Sequence, residues 1–268
     1  MQTSDPISGK TTGRSPVVLA IHGSASSGRQ WKALTDQLDG AAHVIAPDLP
    51  GYGQATGCNA DRRAVLGHII MAQPAQIHLV AHSFGGAIAL RLAHAHPDRI
   101  ASVTLYDPVI SERDDAGRHR LPGPLDSVWR QHADGPALVL MQAFYDYWAT
   151  DTKWADLSAR QRDRLTSHHP GLCRDMKEFT AGDWAIPQHL YRGPVKIFCG
   201  QLSPVVTAAM ASRIARDHAD ASVSVLPGLG HFAPLSHPDA VNAHVLSALS
   251  KNGVALKRDP QPVLDRVA

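Results

Sequence analysis

The chain alternates short apolar runs with segments of helical periodicity, and this alternation constrains its fold more than any other feature. Each run is five or six residues long, rich in Val, Ile, Leu or Ala, and ends at a turn-forming residue. Strands separated by helices form βαβ units, whose parallel strands are buried on both faces. The sequence therefore predicts an α/β fold with a mostly parallel sheet between two layers of helices. The predicted strands are residues 17–21, 42–46, 77–81, 101–106, 195–199 and 222–226.

The alternation stops after Asp107-Pro108 and resumes near residue 193. Between these points no clear β-branched run occurs, and Asp, Arg, Pro and aromatic residues are frequent. This composition predicts a mainly helical insertion over 109–192, carried by a core made of 1–108 and 193–268. We expect the prolines and mixed charges of 251–268 to form a loosely docked tail.

Net charge, cysteine spacing and the pattern of histidines exclude several classes of function. The formal net charge is +2 and no basic cluster exceeds a pair, so we expect no nucleic-acid partner. The three cysteines lie more than 20 residues apart without a C-x-x-C pair, which excludes a zinc ribbon and makes a disulfide framework unexpected. The sixteen histidines show no H-E-x-x-H pattern, and no metal site is predicted.

No run approaches 18 consecutive apolar residues, so no membrane-spanning helix is predicted. Residues 1–10 are polar and lack the apolar segment of a signal peptide. We therefore expect a cytoplasmic protein with no membrane partner.

The most informative stretch joins the predicted strand 77–81 to a helix of small residues over 84–95. Its residues Ala81-His82-Ser83-Phe84-Gly85 match the nucleophile elbow G-x-S-x-G, with Ala81 in place of the first glycine. A serine on a sharp strand-to-helix turn has strained backbone angles and needs small neighbours two residues away on either side. Because Ala81 still satisfies this requirement, the pattern predicts Ser83 as a nucleophile; the alternative is a serine in an ordinary glycine-rich turn.

Two backbone amides are candidates for an oxyanion hole. The Phe84 amide follows the nucleophile at a helix N-terminus, where partial positive charge favours an oxyanion. The loop Ile21-His22-Gly23-Ser24 follows the first strand, and the Ser24 amide is the predicted second donor. We interpret His22 as a histidine that bonds within its own loop.

A base for the serine is predicted at His231. It follows the last strand in the Gly/Pro-rich segment 226–235, from which its ring can reach the carboxyl ends of the strands. Neutral imidazole accepts a proton from serine near pH 7 and returns it to a leaving group. His237, which precedes Pro238, is interpreted as a helix-entry residue.

These segments together resemble the α/β-hydrolase superfamily over nearly the whole chain. The resemblance implies a three-layer α/β/α sandwich, a helical cap inserted after the sixth family strand, and a catalytic triad in the order serine, acid, histidine. Only about 15 residues precede the first core strand, so we expect the family's N-terminal antiparallel hairpin to be reduced or absent. The segments that carry the resemblance are H-G-S (22–24), A-P-D-L-P-G-Y-G (46–53), A-H-S-F-G-G (81–86), L-Y-D-P (105–108) and G-L-G-H-F-A-P-L-S-H-P (228–238).

The triad acid departs from the usual family pattern. The position after the penultimate strand that normally carries it is Ser203, which has no carboxylate. Asp107 ends the strand 101–106, and some α/β-hydrolases that resemble this chain place the acid there. Asp107 is therefore predicted as the acid, with a turn-capping role before Pro108 as the alternative. Asp48 also ends a strand and is interpreted as structural.

The resemblance and the motifs together predict a serine hydrolase that cleaves a carboxylic ester, lactone or thioester through an acyl-enzyme on Ser83. Balanced charge and an aromatic cap suggest a small, neutral, fairly apolar substrate, with Phe144, Tyr145 and Trp148 as candidate binding residues. These aromatics could instead only pack the cap onto the core. Carbon–carbon bond hydrolase, amidase and cofactor-free perhydrolase activities stay open, as does a non-catalytic ligand receptor. No cofactor is required.

Overall fold

A computed structural model describes residues 15–150, 152–184 and 191–256. Its main sheet has six strands in the order β2-β1-β3-β4-β7-β8, and all five strand pairings are parallel. A separate two-stranded hairpin joins β5 to β6. The strands are β1 (Val17–Ile21), β2 (His43–Ile45), β3 (Ile77–His82), β4 (Ile100–Tyr106), β5 (Glu112–Arg113), β6 (His119–Arg120), β7 (Val195–Gly200) and β8 (Ala221–Leu226).

Helices follow most of the main strands, as the alternation of the sequence predicts. Asp61 begins the second helix by accepting hydrogen bonds from the Arg63 and Ala64 amides, and Gly182 ends the seventh in a left-handed conformation. The helices are α1 (Lys32–Gln37), α2 (Arg62–Ala72), α3 (Phe84–Ala95), α4 (Pro124–His132), α5 (Ala137–Trp148), α6 (Ala159–Thr166), α7 (His169–Ala181), α8 (Val205–Asp217), α9 (Ala233–Ser236) and α10 (Pro238–Lys251).

The sheet is buried on both faces, which explains why its central strands are apolar without alternation. Leu19 and Ile21 of β1 pack into one apolar cluster with side chains of α2, α3 and α8. Val18 and Ala20 of the same strand pack into a second cluster with side chains of α1 and α10. The three layers expected for an α/β/α sandwich are therefore present.

The insertion lies between β4 and β7 and contains helices α4 to α7, together with the hairpin β5–β6. The sequence predicts no strand here, and the hairpin is a correction to that prediction. Its strands have two residues each, which is too short for any periodicity to appear. The Asp114 carboxylate holds the turn by accepting from the Ala116 and Arg118 amides. The boundaries of the insertion at 109–192 stay a prediction.

The two ends of the chain are described only in part. Residues 1–14, where a reduced or absent hairpin was expected, lie outside the described residues, as do 257–268 of the tail. Val254 is buried, so the first residues of the tail are docked more firmly than expected. None of the helices in the described ranges is long and apolar enough to cross a membrane.

Candidate active site

Ser83 occupies a strained turn between β3 and α3. Its backbone has φ 54° and ψ −124°, and its amide donates to the Tyr106 carbonyl oxygen at 3.1 Å. The helix that follows packs closely on β1, since a Cβ on Gly85 would lie 2.6 Å from the His22 carbonyl oxygen. Ala81 is fully buried and fits in place of the first glycine of the elbow. The turn therefore has the geometry of a nucleophile elbow.

The structure brings Ser83, His231 and Asp107 together in one hydrogen-bonded chain. The Ser83 Oγ lies 3.1 Å from His231 Nε2, and His231 Nδ1 lies 3.2 Å from Asp107 Oδ2. All three side chains are buried, with Asp107 fully enclosed. Because the carboxylate accepts a hydrogen bond from Nδ1–H, Nε2 is left to accept the serine proton. Three residues that are far apart in sequence thus have the mutual geometry of a catalytic triad.

The position where the family usually carries its acid instead supports Asp107. Ser203 Oγ donates to Asp107 Oδ2 at 2.5 Å, and the Gly200 amide donates to Asp107 Oδ1 at 3.1 Å. The Asp107 backbone has φ 42°, and its amide donates to the Phe198 carbonyl oxygen. The loop after β7 therefore holds a carboxylate that belongs to the end of β4. Ser203 itself was not predicted as a site residue.

Neighbouring side chains hold the loop that carries His231. His82 Nε2 lies 2.9 Å from the His231 carbonyl oxygen, and Tyr106 Oη donates to the Gly230 carbonyl oxygen at 2.8 Å. Burial lowers the pKa of His82 well below its ordinary value, so this ring is neutral and has a single N–H group to donate in a hydrogen bond. The Trp148 indole stacks on the His231 ring with centroids 3.9 Å apart. The imidazole is thus held both by its own loop and by helix α5 of the insertion.

The two predicted oxyanion donors flank the nucleophile. Phe84 is the first residue of α3, and Ser24 lies in the loop after β1, where Ala25 has φ 53°. Within the described part of the chain, no residue accepts a hydrogen bond from either amide. The assignment of these two amides as oxyanion donors stays a prediction. Ser24 Oγ makes a separate contact, donating to Asp175 Oδ2 of the insertion at 2.6 Å.

His22 and Asp48 have the structural roles expected from the sequence. His22 Nδ1 lies 2.7 Å from the Gly23 carbonyl oxygen, and its Nε2 accepts from the Leu49 amide at 3.0 Å. Burial lowers the pKa of His22 to about 4, so its ring is neutral. The Asp48 carboxylate accepts from the Gly28 and Gln54 amides.

A cavity of about 510 Å³ lies beside Ser83 and His231; it is lined by their chain neighbours His82 and Phe232, and by Ser24, but by none of the three triad residues. Its lining is mostly apolar but includes the buried polar residues Ser26, Ser27 and Gln30. Its charged lining residues Arg29, Lys32 and Arg164 are exposed. The apolar lining consists of Ala25, Met141, Phe144, Tyr145, Leu157, Leu165, Phe232 and Leu235.

The three predicted cap residues lie in two different environments. Phe144 and Tyr145 line this cavity, and Tyr145 stacks on Phe232 with ring centroids 5.3 Å apart. Trp148 is not among the described side chains that line the cavity, and it contacts the His231 ring instead. The sequence predicts these three residues within a mainly helical insertion. Only the packing of α5 shows that two of them line the cavity and that Trp148 stacks on His231.

The sequence analysis did not identify three residues that contact the predicted site residues, namely His82, Ser203 and Asp175. His82 lies inside the elbow motif, so its position could have indicated a role. The other two act on residues about 100 or more positions away, and no local pattern marks them. Among residues 15–150, 152–184 and 191–256, no three His, Cys, Asp or Glu side chains are grouped so as to hold a metal ion.

Two curated hydrolases are similar in sequence to part or most of this chain. The curated lipase LipV of Mycobacterium tuberculosis is 35% identical over an alignment that covers 35% of this chain and 38% of the lipase, so the chain spans well under half the length of that relative. A pimeloyl-[acyl-carrier protein] methyl ester esterase of Aromatoleum aromaticum is 25% identical over 84% of this chain and 94% of the esterase.

Solved structures share the fold. A serine hydrolase from Cycloclasticus zankles superposes with a TM-score of 0.68 at 18% identity, covering 90% of this chain and 91% of the other. The model of the alpha/beta hydrolase family matches residues 17–244, from β1 into α10. Since that match includes every strand of the main sheet and the elbow between β3 and α3, the chain belongs to the α/β-hydrolase family.

Proposed function

We propose that this protein is a serine hydrolase that cleaves carboxylic esters through an acyl-enzyme on Ser83. One observation carries the proposal, the continuous chain from Ser83 Oγ through the His231 ring to Asp107 Oδ2, with distances of 3.1 and 3.2 Å. The binding partner that we propose is a small-molecule ester, because the side chains of the site are buried. The cytoplasmic location expected from the sequence stays a prediction.

Acylation begins when His231 Nε2 takes the Ser83 hydroxyl proton and Oγ attacks the ester carbonyl carbon. The carbonyl oxygen becomes an oxyanion, which the Ser24 and Phe84 amides stabilise. Asp107 holds the imidazole in the reactive tautomer and stabilises the imidazolium. The intermediate then collapses, and the alcohol leaves with the proton from Nε2.

Deacylation repeats these steps with water. His231 takes a proton from a water molecule, whose oxygen attacks the acyl carbon of the Ser83 ester. The second tetrahedral intermediate uses the same two amides, and its collapse returns the proton to Ser83 Oγ. A carboxylic acid is released and the enzyme is regenerated.

The cavity supports a substrate with a small apolar group. Its interior is lined by buried or half-buried apolar side chains, including Met141, Phe144 and Leu165. Apolar contacts of this kind bind an acyl or alkyl chain without fixing its length strongly, because each methylene adds only about 1 kcal/mol. The cavity volume of about 510 Å³ limits the length of the chain that fits, so we propose short to medium acyl esters as substrates.

Labelling and turnover test the proposal together. A fluorophosphonate should modify Ser83, as located by peptide mass spectrometry. Ser83→Ala should abolish the labelling and lower kcat on the order of 10⁶-fold, since the whole triad depends on the nucleophile. Ser212→Ala is the matched control, because Ser212 is exposed on α8 and its Oγ bonds only its own helix.

The substrate panel should run from acetyl to lauroyl p-nitrophenyl esters, beside an amide and a lactone. Preference for a short or medium ester supports the proposal. Labelling at another serine, or an active Ser83→Ala variant, would refute the serine mechanism. Faster turnover of the amide would reassign the protein to the amidases.

A further inference from the structure

A buried ion pair joins the insertion to the core directly behind the expected oxyanion hole. Arg62 Nη1 of α2 lies 2.6 Å from Asp175 Oδ1 of α7, and neither side chain is exposed. The same guanidinium donates to the Pro50 carbonyl oxygen and pairs with Glu178 at 3.1 Å. A buried ion pair is weak evidence for stability, because desolvation of the two charges offsets much of their attraction. The pair also contacts both residues that are expected to form the oxyanion hole.

The second oxygen of Asp175 holds one of the two expected oxyanion residues. Oδ2 accepts from Ser24 Oγ at 2.6 Å and from Tyr52 Oη at 2.6 Å. Ser24 is followed by Ala25, whose positive φ shows that the loop has a strained backbone. A bond to the Ser24 side chain therefore restrains the peptide whose amide is expected to stabilise the oxyanion.

The other partner of the pair contacts the second expected oxyanion residue. The Arg62 guanidinium carbon lies 5.5 Å from the centroid of the Phe84 ring. The same ring packs against Phe179 and Trp184, with centroids 4.9 and 5.9 Å away. Each member of the buried ion pair thus contacts one of the two expected oxyanion residues.

We propose that Asp175 is a positioning residue for the oxyanion hole, acting through Ser24 Oγ and anchored by Arg62. The proposal rests on the proposed serine hydrolase function. Because Asp175 belongs to α7 of the insertion, this restraint on the Ser24 side chain in the oxyanion loop (residues 21–25) exists only when α7 is docked on α2. The insertion then does more than cover the substrate, since it also fixes the position of Ser24 in the oxyanion loop.

The test is a double-mutant cycle with Ser24→Ala and Asp175→Asn. Each single variant should lower kcat and the second-order rate of Ser83 phosphonylation by about 10- to 100-fold. This decrease should not exceed the decrease in kcat that follows removal of a whole oxyanion donor. KM should change by less than about threefold, because ground-state binding is retained. The double variant should be no slower than the slower single variant, since both changes remove one contact.

Asp126→Asn is the matched control for stability. Asp126 is also a mostly buried carboxylate of the insertion, paired with Arg120 and Arg130 at 2.8 and 2.6 Å, but it does not contact the oxyanion loop. It should lower Tm while leaving kcat within about twofold of the wild type. If Asp175→Asn does not fold, Ser24→Ala still decides the question, because it removes the contact and leaves the ion pair intact.

Two results would overturn the proposal. One is unchanged kcat and phosphonylation rate in Ser24→Ala; the other is a double variant whose loss equals the product of the two single losses. Failure of the proposed function is separable, because it would appear as absent Ser83 labelling in the wild-type protein. The phosphonylation rate also stays measurable when the natural substrate is not an ester.

Discussion

Three non-glycine residues in the described part of the chain have positive φ, and all three belong to the candidate site. They are Ala25 in the oxyanion loop, Ser83 in the elbow and Asp107 at the end of β4. Such conformations cost about 1–3 kcal/mol each and persist only where the surroundings over-determine them. Hydrogen bonds from the Ser83 and Asp107 amides to β4 and β7 supply that constraint. At the residue scale, backbone strain therefore marks the same positions as side-chain chemistry.

The assignment of Asp107 as the triad acid can be tested by moving the carboxylate to another position in the chain. Asp107→Asn should keep the fold and lower kcat about 10⁴-fold, because the imidazole loses the charge that orients it. Ser203 Oγ lies 2.5 Å from Asp107 Oδ2, so an aspartate at position 203 can bring a carboxylate close to His231 Nδ1. Asp107→Ala with Ser203→Asp should therefore regain part of the kcat lost in Asp107→Ala alone. Near wild-type turnover of Asp107→Asn would show that another carboxylate is the acid.

Helix α5 carries side chains in two different settings: some line the cavity and one contacts the base. Residue 148 lies four positions after residue 144 and three after residue 145, so all three side chains lie on the same side of the helix surface. The first two reach the cavity, whereas Trp148 stacks on the His231 ring at 3.9 Å and an interplanar angle of 21°. An aromatic face stabilises a nearby cation by about 0.5–2 kcal/mol, which would favour the imidazolium formed during acylation.

The two roles of α5 predict different kinetic profiles. Tyr145→Ala should change the acyl-chain preference, because it enlarges the cavity beside Phe232. Trp148→Leu should lower kcat about two- to tenfold for every ester, while Trp148→Phe, which keeps an aromatic face, should retain most of it. kcat/KM across the acyl series and Tm are measured for each variant. A uniform loss with a large fall in Tm for both Tyr145→Ala and Trp148→Phe would indicate packing alone.

At the scale of the whole molecule, buried neutral histidines make stability depend on pH. The chain has sixteen histidines, and burial lowers the pKa of several, including His22, His78 and His82. A histidine whose pKa is lower in the folded state binds its proton more readily when unfolded. Its contribution to stability is therefore complete above the unfolded value of about 6.5 and is lost as the pH falls towards the folded value.

His22 allows this effect to be isolated. Its folded pKa of about 4 against an ordinary value of 6.5 predicts a loss of about 3 kcal/mol in the free energy of unfolding between pH 6.5 and 4. Denaturant unfolding of His22→Gln should show a shallower fall over this range than the wild type. His43→Gln changes an exposed histidine and is the control. An unchanged pH dependence in His22→Gln would contradict the assignment.

Much of the fold follows from local pattern in the sequence. The helix expected over 84–95 is α3 (Phe84–Ala95), and the predicted strands match β1, β3 and β7 to within one residue. These elements are buried on one or both sides, so their apolar pattern is strong. The hairpin β5–β6 has no such pattern because two-residue strands bury little, and its existence depends on the Asp114 turn.

The sequence by itself determined which residues could serve as nucleophile, base and oxyanion donors, because each lies in a contiguous strand–turn–helix or strand–loop motif whose geometry is local. Only the tertiary structure decided how Asp107 meets His231, why Ser203 stands at the usual acid position, and which side of α5 supports the base. The contact from Asp175 to Ser24 spans 151 positions. Such contacts depend on how the insertion docks on the sheet, and no neighbouring residues in the chain encode that geometry.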